Sequence, residues 1–221
     1  MIESNMEFDL KPGLMPIFPL KGALLLPNTK LPLNIFEPKY LKMVDDTLKS
    51  DQRLIGMIQP LESHEKYSTP IVTSKLYSIG CAGKITSFEE LDDGRYVITL
   101  SGVNRFRLVE LIDKASYLEG QVDWSDFPID KQRINVEGNN EADNFLDIIS
   151  DYFSSQNIST DWNVLKSADQ ETLVNSLSML CPFENDEKQA LLEAYSLFDR
   201  KEMLSTLMEI SSQKQGNDVM Q

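Results

Sequence analysis

Apolar residues in the first 125 positions come in short runs broken by turn residues, and past Asn140 they recur every three or four positions. That change of period separates a strand-rich part from a helical part. Between Met15 and Tyr40 five prolines (Pro16, Pro19, Pro27, Pro32, Pro38) sit among leucines, isoleucines and phenylalanines. Proline removes a backbone donor, and the residue before it favours extended geometry, so no helix runs through most of this stretch. Two strands are expected, Met15–Leu20 and Leu31–Ile35, with Lys21–Asn28 as an ordered loop. Pro38 sits where a missing N–H is harmless, at the first turn of a helix ending near Ser50. Its apolar face is Tyr40, Leu41, Met43, Val44 and Leu48.

Arg53–Gln59 reads as a buried strand and Leu76–Phe88 as a long or bulged one, bent at Gly80 and Gly83. Asp92-Asp93-Gly94 predicts a hairpin turn and Tyr96–Leu100 a strand. A second turn is expected at Ser101–Asn104, then strands at Arg105–Ile112 and Tyr117–Trp124. Strands this short and closely spaced predict a barrel-like sheet. Beyond a polar connection, one helix carries Phe145, Ile148, Ile149, Tyr152 and Phe153 on one face. A second spans Ala168–Leu180. Capping boxes at Asp186/Gln189 and Asp199/Glu202 predict two more. The expected division is a tail at 1–13, a barrel at 14–125, a connection at 126–140, a helical bundle at 141–212 and a polar tail at 213–221. The fold class is α+β.

The formal net charge is −14, and 1–125 carry 14 Lys/Arg against 17 Asp/Glu, so residues 126–221 account for −11 of it. Such a surface repels phosphate backbones and anionic headgroups, which argues against nucleic-acid and membrane partners. No run is long and apolar enough to span a bilayer, and the N-terminus lacks a secretory pattern, so a cytoplasmic protein is expected.

Candidate chemistry is sparse. Gly83-Lys84 imitates the end of a phosphate-binding loop, but Ser78 stands where that loop needs glycine and Ile85 where it needs Ser or Thr. Cys81 and Cys181 are a hundred positions apart and His64 is the one histidine, too few ligands for a structural zinc site. The two thiols are expected buried and reduced, and His64 solvated in a loop. The acidic pairs Asp45-Asp46, Glu89-Glu90 and Asp92-Asp93 lie in turn or helix-end contexts that favour solvated charge. No residue is nominated as catalytic, cofactor-binding or metal-ligating, and no cofactor is implied.

Several stretches together resemble one family. PIFPL (Pro16–Leu20), LLLPNTKLPLNIFEPKY (Leu24–Tyr40), SIGCAGKIT (Ser78–Thr86) and GVNRFR (Gly102–Arg107) are similar to the N-terminal domain of the ATP-dependent Lon protease. LSMLCPF (Leu177–Phe183) and EKQALLEA (Glu187–Ala194) follow in the family's order. The resemblance implies a PUA-like pseudobarrel of about six strands followed by a helical bundle. It implies a non-catalytic module that binds unfolded or partner polypeptides, with a Lon-type protease as a candidate partner. Where the protease continues into ATPase and peptidase parts, this chain is expected to stand without them, as a stand-alone protein of the kind found in bacteria. The motif positions Pro19, Pro32, Phe36, Glu37, Tyr40, Gly80, Gly102, Arg105 and Phe106 are expected to be mainly architectural, with Phe36 and Phe106 in the core. Arg105 is expected to hold a carboxylate such as Glu37. The alternatives are a small-molecule-binding domain or carboxylate-based enzyme and, by fold analogy alone, an RNA-binding PUA-like domain.

Overall fold

The computed structural model describes residues 13–61, 76–113, 116–131 and 144–218. His64 lies outside the described residues. Six strands precede the main helices: β1 (Gly13–Pro19), β2 (Lys30–Ile35), β3 (Leu54–Ile58), β4 (Ile79–Glu90), β5 (Tyr96–Asp113) and β6 (Leu118–Asp123). Helix α1 (Pro38–Lys49) follows β2. The sheet order is β2-β5-β4-β3-β1-β6, and β6 pairs back onto β5, which closes a barrel. All pairs are antiparallel except β1 with β3.

The expected turn at Ser101–Asn104 does not form. β5 runs straight through it for 18 residues, pairing with β2 along Tyr96–Ser101 and with β6 along Arg107–Asp113. Gly102 is there because the chain at Leu26 passes against it: a Cβ would collide with the Leu26 carbonyl. Glycine here serves close approach rather than reversal. Register shifts between Ala82/Gly83 and Ile85/Ser87 supply the bend in β4.

Alternation along the central strands builds two cores. Leu54, Ile58, Ala82, Phe106 and Val122 point into the barrel with Met15, Ile17 and Trp124. The intervening residues Ile55, Met57, Ile79 and Cys81 face out into a larger core shared with the helices. That is why LIGMI in β3 is apolar at every position: both of its faces are buried.

The helical part contains α2 (Phe145–Ser155), α3 (Trp162–Ser167), α4 (Gln170–Leu180), α5 (Asn185–Glu193) and α6 (Leu197–Asp218). The short helix α3, begun by Asp161 accepting from the Asn163 N–H, has no counterpart in the sequence reading. Both capping boxes start earlier than expected. The Glu184 N–H donates to Glu187 at the start of α5, and Ser196 and Asp199 exchange bonds at the start of α6. Helix α6 also runs on to Asp218, beyond the end expected at residue 212.

Candidate functional site

Helix α5 is held on the barrel by polar groups at both ends. Its start is tied by Tyr77 donating to Asp186 and by Gln59 Nε2 donating to the Asn185 carbonyl at 3.2 Å. Gln189 Nε2 donates to the Ile79 carbonyl of β4 at 3.1 Å, and Lys188 Nζ to the Gly22 carbonyl at 2.9 Å. Burial pulls the Lys188 pKa down. The last carbonyls of a helix lack partners within it, and here two buried arginines supply them.

Arg105, from β5, is 1% exposed. It donates from Nε to Asp130 at 2.9 Å, from Nη1 to the Leu192 and Ala194 carbonyls, and from Nη2 to Asp130 at 2.7 Å and the Tyr195 carbonyl at 3.0 Å. All five guanidinium donors are used. Asp130, on a 3-10 turn (Pro128–Lys131), also accepts from the Arg105 backbone N–H. The Phe127 ring lies 3.9 Å beneath the guanidinium carbon. A cation near a helix C-terminus is favoured by the helix dipole as well. Arg105 therefore joins the barrel, the turn after β6 and the α5–α6 corner in one contact.

Arg200, from α6, donates from Nε to the Leu191 carbonyl and from Nη1 to Asn175 Oδ1, both at 2.9 Å. Burial, and then the positive charge of Arg105, lower its pKa to about 10. Beside these arginines lies a cleft lined by Asn28, Asp130, Glu171, Asn175, Tyr195 and Arg200 among others. Its rim is closed by Asn28 Nδ2 donating to Glu171 at 2.9 Å. Asn28 adopts a left-handed backbone with φ of 62°, tolerable for asparagine. The water-accessible volume is about 30 Å³, room for a few waters or one small polar group and far below a cofactor pocket.

The motif positions separate into several roles. Arg105 pairs with Asp130 rather than Glu37. Glu37 stands at the start of α1 and meets Lys39 at 3.2 Å near the surface. Phe36 is 66% exposed, which corrects its expected place in the core. It follows Ile35, whose side chain faces inward, so the next residue points outward before Pro38 begins the helix. Phe106 is fully buried in the barrel. Gly80 admits it: a Cβ there would stand 2.6 Å from Phe106 and 2.5 Å from the Met57 carbonyl oxygen. Tyr40 packs at a tilt against Phe18 with centroids 4.3 Å apart. Pro19 ends β1, and Pro32 lies exposed in β2, whose outer edge pairs with no described strand. A proline fits such an edge, where its absent donor breaks no ladder bond.

Cys81 and Cys181 are free and buried, and burial raises both thiol pKa values, that of Cys181 to about 11. No described group of three or more His, Cys, Asp or Glu converges as a metal site, and no described helix is long and apolar enough to cross a membrane. Sequence reasoning missed Asp130, Asn175, Gln189 and Arg200. Gln189 falls within EKQALLEA and was read there as a cap residue rather than as a tie to β4, and the other three lie in no motif. The partners that matter are distant in sequence or are backbone carbonyls.

Comparison with known proteins places this architecture. Residues 15–209 match the model of the ATP-dependent protease La (Lon) substrate-binding domain. Lon protease 1 of Bdellovibrio bacteriovorus is 26% identical over 209 residues, 90% of this chain and 25% of that protein. Lon protease 2 of Myxococcus xanthus is 28% identical over 126 residues, 57% of this chain and 15% of that one. The chain thus spans a quarter or less of these two relatives. A crystal structure of a Lon N-terminal domain protein from Xanthomonas campestris superposes with a TM-score of 0.57 at 21% identity, over 87% of this chain and 96% of that one. The N-terminal domain of Mycobacterium avium complex Lon protease gives 0.56 at 15% identity, over 89% and 98%. The chain belongs to the family of Lon substrate-binding domains.

Proposed function

We propose that this protein is a non-catalytic module that binds polypeptide segments, acting in the cytoplasm and beside a Lon-type protease. The observation that carries the reading is the match to a substrate-binding domain over residues 15–209. Two surfaces suit an extended chain. The outer edge of β2 offers backbone groups to an added strand, and exposed Phe36 stands at its end. The exposed Tyr195 and Phe198 mark a second apolar surface at the α5–α6 corner. The barrel and bundle act as one body in this reading, tied together through Arg105 and helix α5. The −14 charge favours protein over RNA.

The test is binding to a permanently unfolded, carboxymethylated model protein, with its folded parent and an unrelated acidic protein as controls. Saturable binding to the unfolded form alone is expected. Equal retention of all three proteins would sink the proposal. Phe36→Ser should weaken binding several-fold while leaving the circular dichroism spectrum unchanged.

A further inference from the structure

We infer that the cleft between the Pro27–Asn28 loop and helices α4 and α6 is a carboxylate-binding subsite, with Arg200 as counter-ion to an acidic group of a bound polypeptide. The inference rests on the polypeptide-binding reading and adds a chemical preference to it.

Its basis is the contrast between the two buried arginines. Arg105 has a carboxylate against it and every donor in use. Arg200 is equally enclosed, at 4% exposed, yet its bonds go to a backbone carbonyl and to an amide oxygen, both neutral. Among the described residues no carboxylate forms an ion pair with it, and its hydrogen bonds there run from Nε and Nη1. Asp130, committed to Arg105, and Glu171 act on its charge only from a distance, so a carboxylate in contact with it would offset the remaining cost of burying the cation. Arg200 lines the cleft. Its pKa near 10 keeps it charged at neutral pH. The planar fork of donors suits a carboxylate in particular.

Size and surroundings agree. A cleft of about 30 Å³ has room for a group the size of a carboxylate. Tyr195 lines the cleft and is half-exposed, so a flanking side chain would meet its ring. Glu171 is the opposing feature. It stands at the rim, held by Asn28, and acts on Arg200 through its charge without touching it. With Asp130, which also lines the cleft, it is a group an incoming anion must work against, and as the one outside the Arg105 pair it provides a second handle.

The test uses three hexapeptides of one apolar sequence: a free C-terminus, an amidated C-terminus with one internal glutamate, and a neutral amidated form. Affinities are measured by fluorescence anisotropy at constant ionic strength. At least one carboxylate peptide should bind about tenfold more tightly than the neutral one, and which one identifies a chain terminus or a side chain as the source. Arg200→Gln should bring that ratio to about one. Glu171→Gln, which keeps an acceptor for Asn28 and removes the charge, should raise it, and this variant decides the matter if Arg200→Gln fails to fold. Equal binding of all three peptides to the wild type, or an unchanged ratio in either variant, overturns the subsite. If unfolded protein still binds in that case, polypeptide binding stands and only the carboxylate preference falls. If no polypeptide binds at all, both fall.

Discussion

The barrel interior and the barrel–bundle junction are both buried, yet they are specified by opposite means. Inside the barrel the contacts are mostly apolar, with buried Asn104 beside Ala82 and Phe106 as a polar exception, and glycines make room for one ring: Gly56 and Gly80 face Phe106, while Gly120 faces Ile17 and Leu108. At the junction the larger apolar core is threaded by Arg105, Asp130, Arg200, Asn175, Gln59 and Gln189. Shape complementarity is non-directional and tolerates compensating changes of volume. A buried hydrogen-bonded charge tolerates none, because a lost partner leaves an unpaired group. The junction therefore fixes where α5 and α6 sit on the barrel, and with them the cleft.

Breaking the junction should produce the largest effect. Arg105→Ala leaves Asp130 buried without its cation and three carbonyls without a donor, so a loss of about 3–5 kcal/mol is expected in urea unfolding. Replacing both partners, Arg105→Met with Asp130→Leu, should recover part of that loss. A double variant as unstable as Arg105→Ala alone would mean that the carbonyl contacts, and not the ion pair, dominate.

In the barrel interior, Gly80→Ala should cost about 1–3 kcal/mol by overpacking against Phe106 and the Met57 carbonyl. Adding Phe106→Leu should relieve the side-chain part of the clash. Strict additivity of these two changes would contradict a volume-controlled interior.

A smaller effect is expected at the start of α4, where Asp169 accepts from the Thr172 N–H and hydroxyl. Those bonds hold its carboxyl below the usual value of 3.8. A depressed folded pKa contributes stability that is full above the unfolded value and lost as pH falls through the folded one. Asp169→Ala should therefore cost about 1 kcal/mol at neutral pH. The difference should shrink only as the medium becomes more acidic than about pH 4. An undiminished difference well below that range would show that the cap does not act through the ionised carboxylate.

The smallest effect belongs to Glu37→Ala, which removes an exposed pair with Lys39 and should stay within about 0.5 kcal/mol. Combined with Arg105→Ala it should be additive, as expected of side chains without a shared partner. Coupling between them would reopen the pairing of Arg105.

Much of the barrel was legible because period-two alternation and proline placement act locally. β1, β2 and α1 fall within a residue or two of expectation, and the apolar run of β3 announced burial on both faces. The misreadings share a cause. Ser101–Asn104 carries turn chemistry, but Gly102 answers to Leu26, a segment remote in sequence. Phe36 looks like core by composition, yet its direction follows from the strand ahead of it. The capping residues slipped because several acidic residues near each start offered similar patterns, and packing chose among them.

By itself the chain determined its strand and helix periods, its acidic balance and the family its motifs resemble. These depend on neighbours a few positions apart. Only the tertiary structure decided the partner of Arg105, which lies 25 positions away in Asp130 and 87 to 90 away in the carbonyls of the α5–α6 corner. The same is true of Arg200, left beside a cleft with neutral partners. A guanidinium takes any well-placed oxygen, and backbone carbonyls are present at every residue. Which of them it meets is settled by how the helices pack.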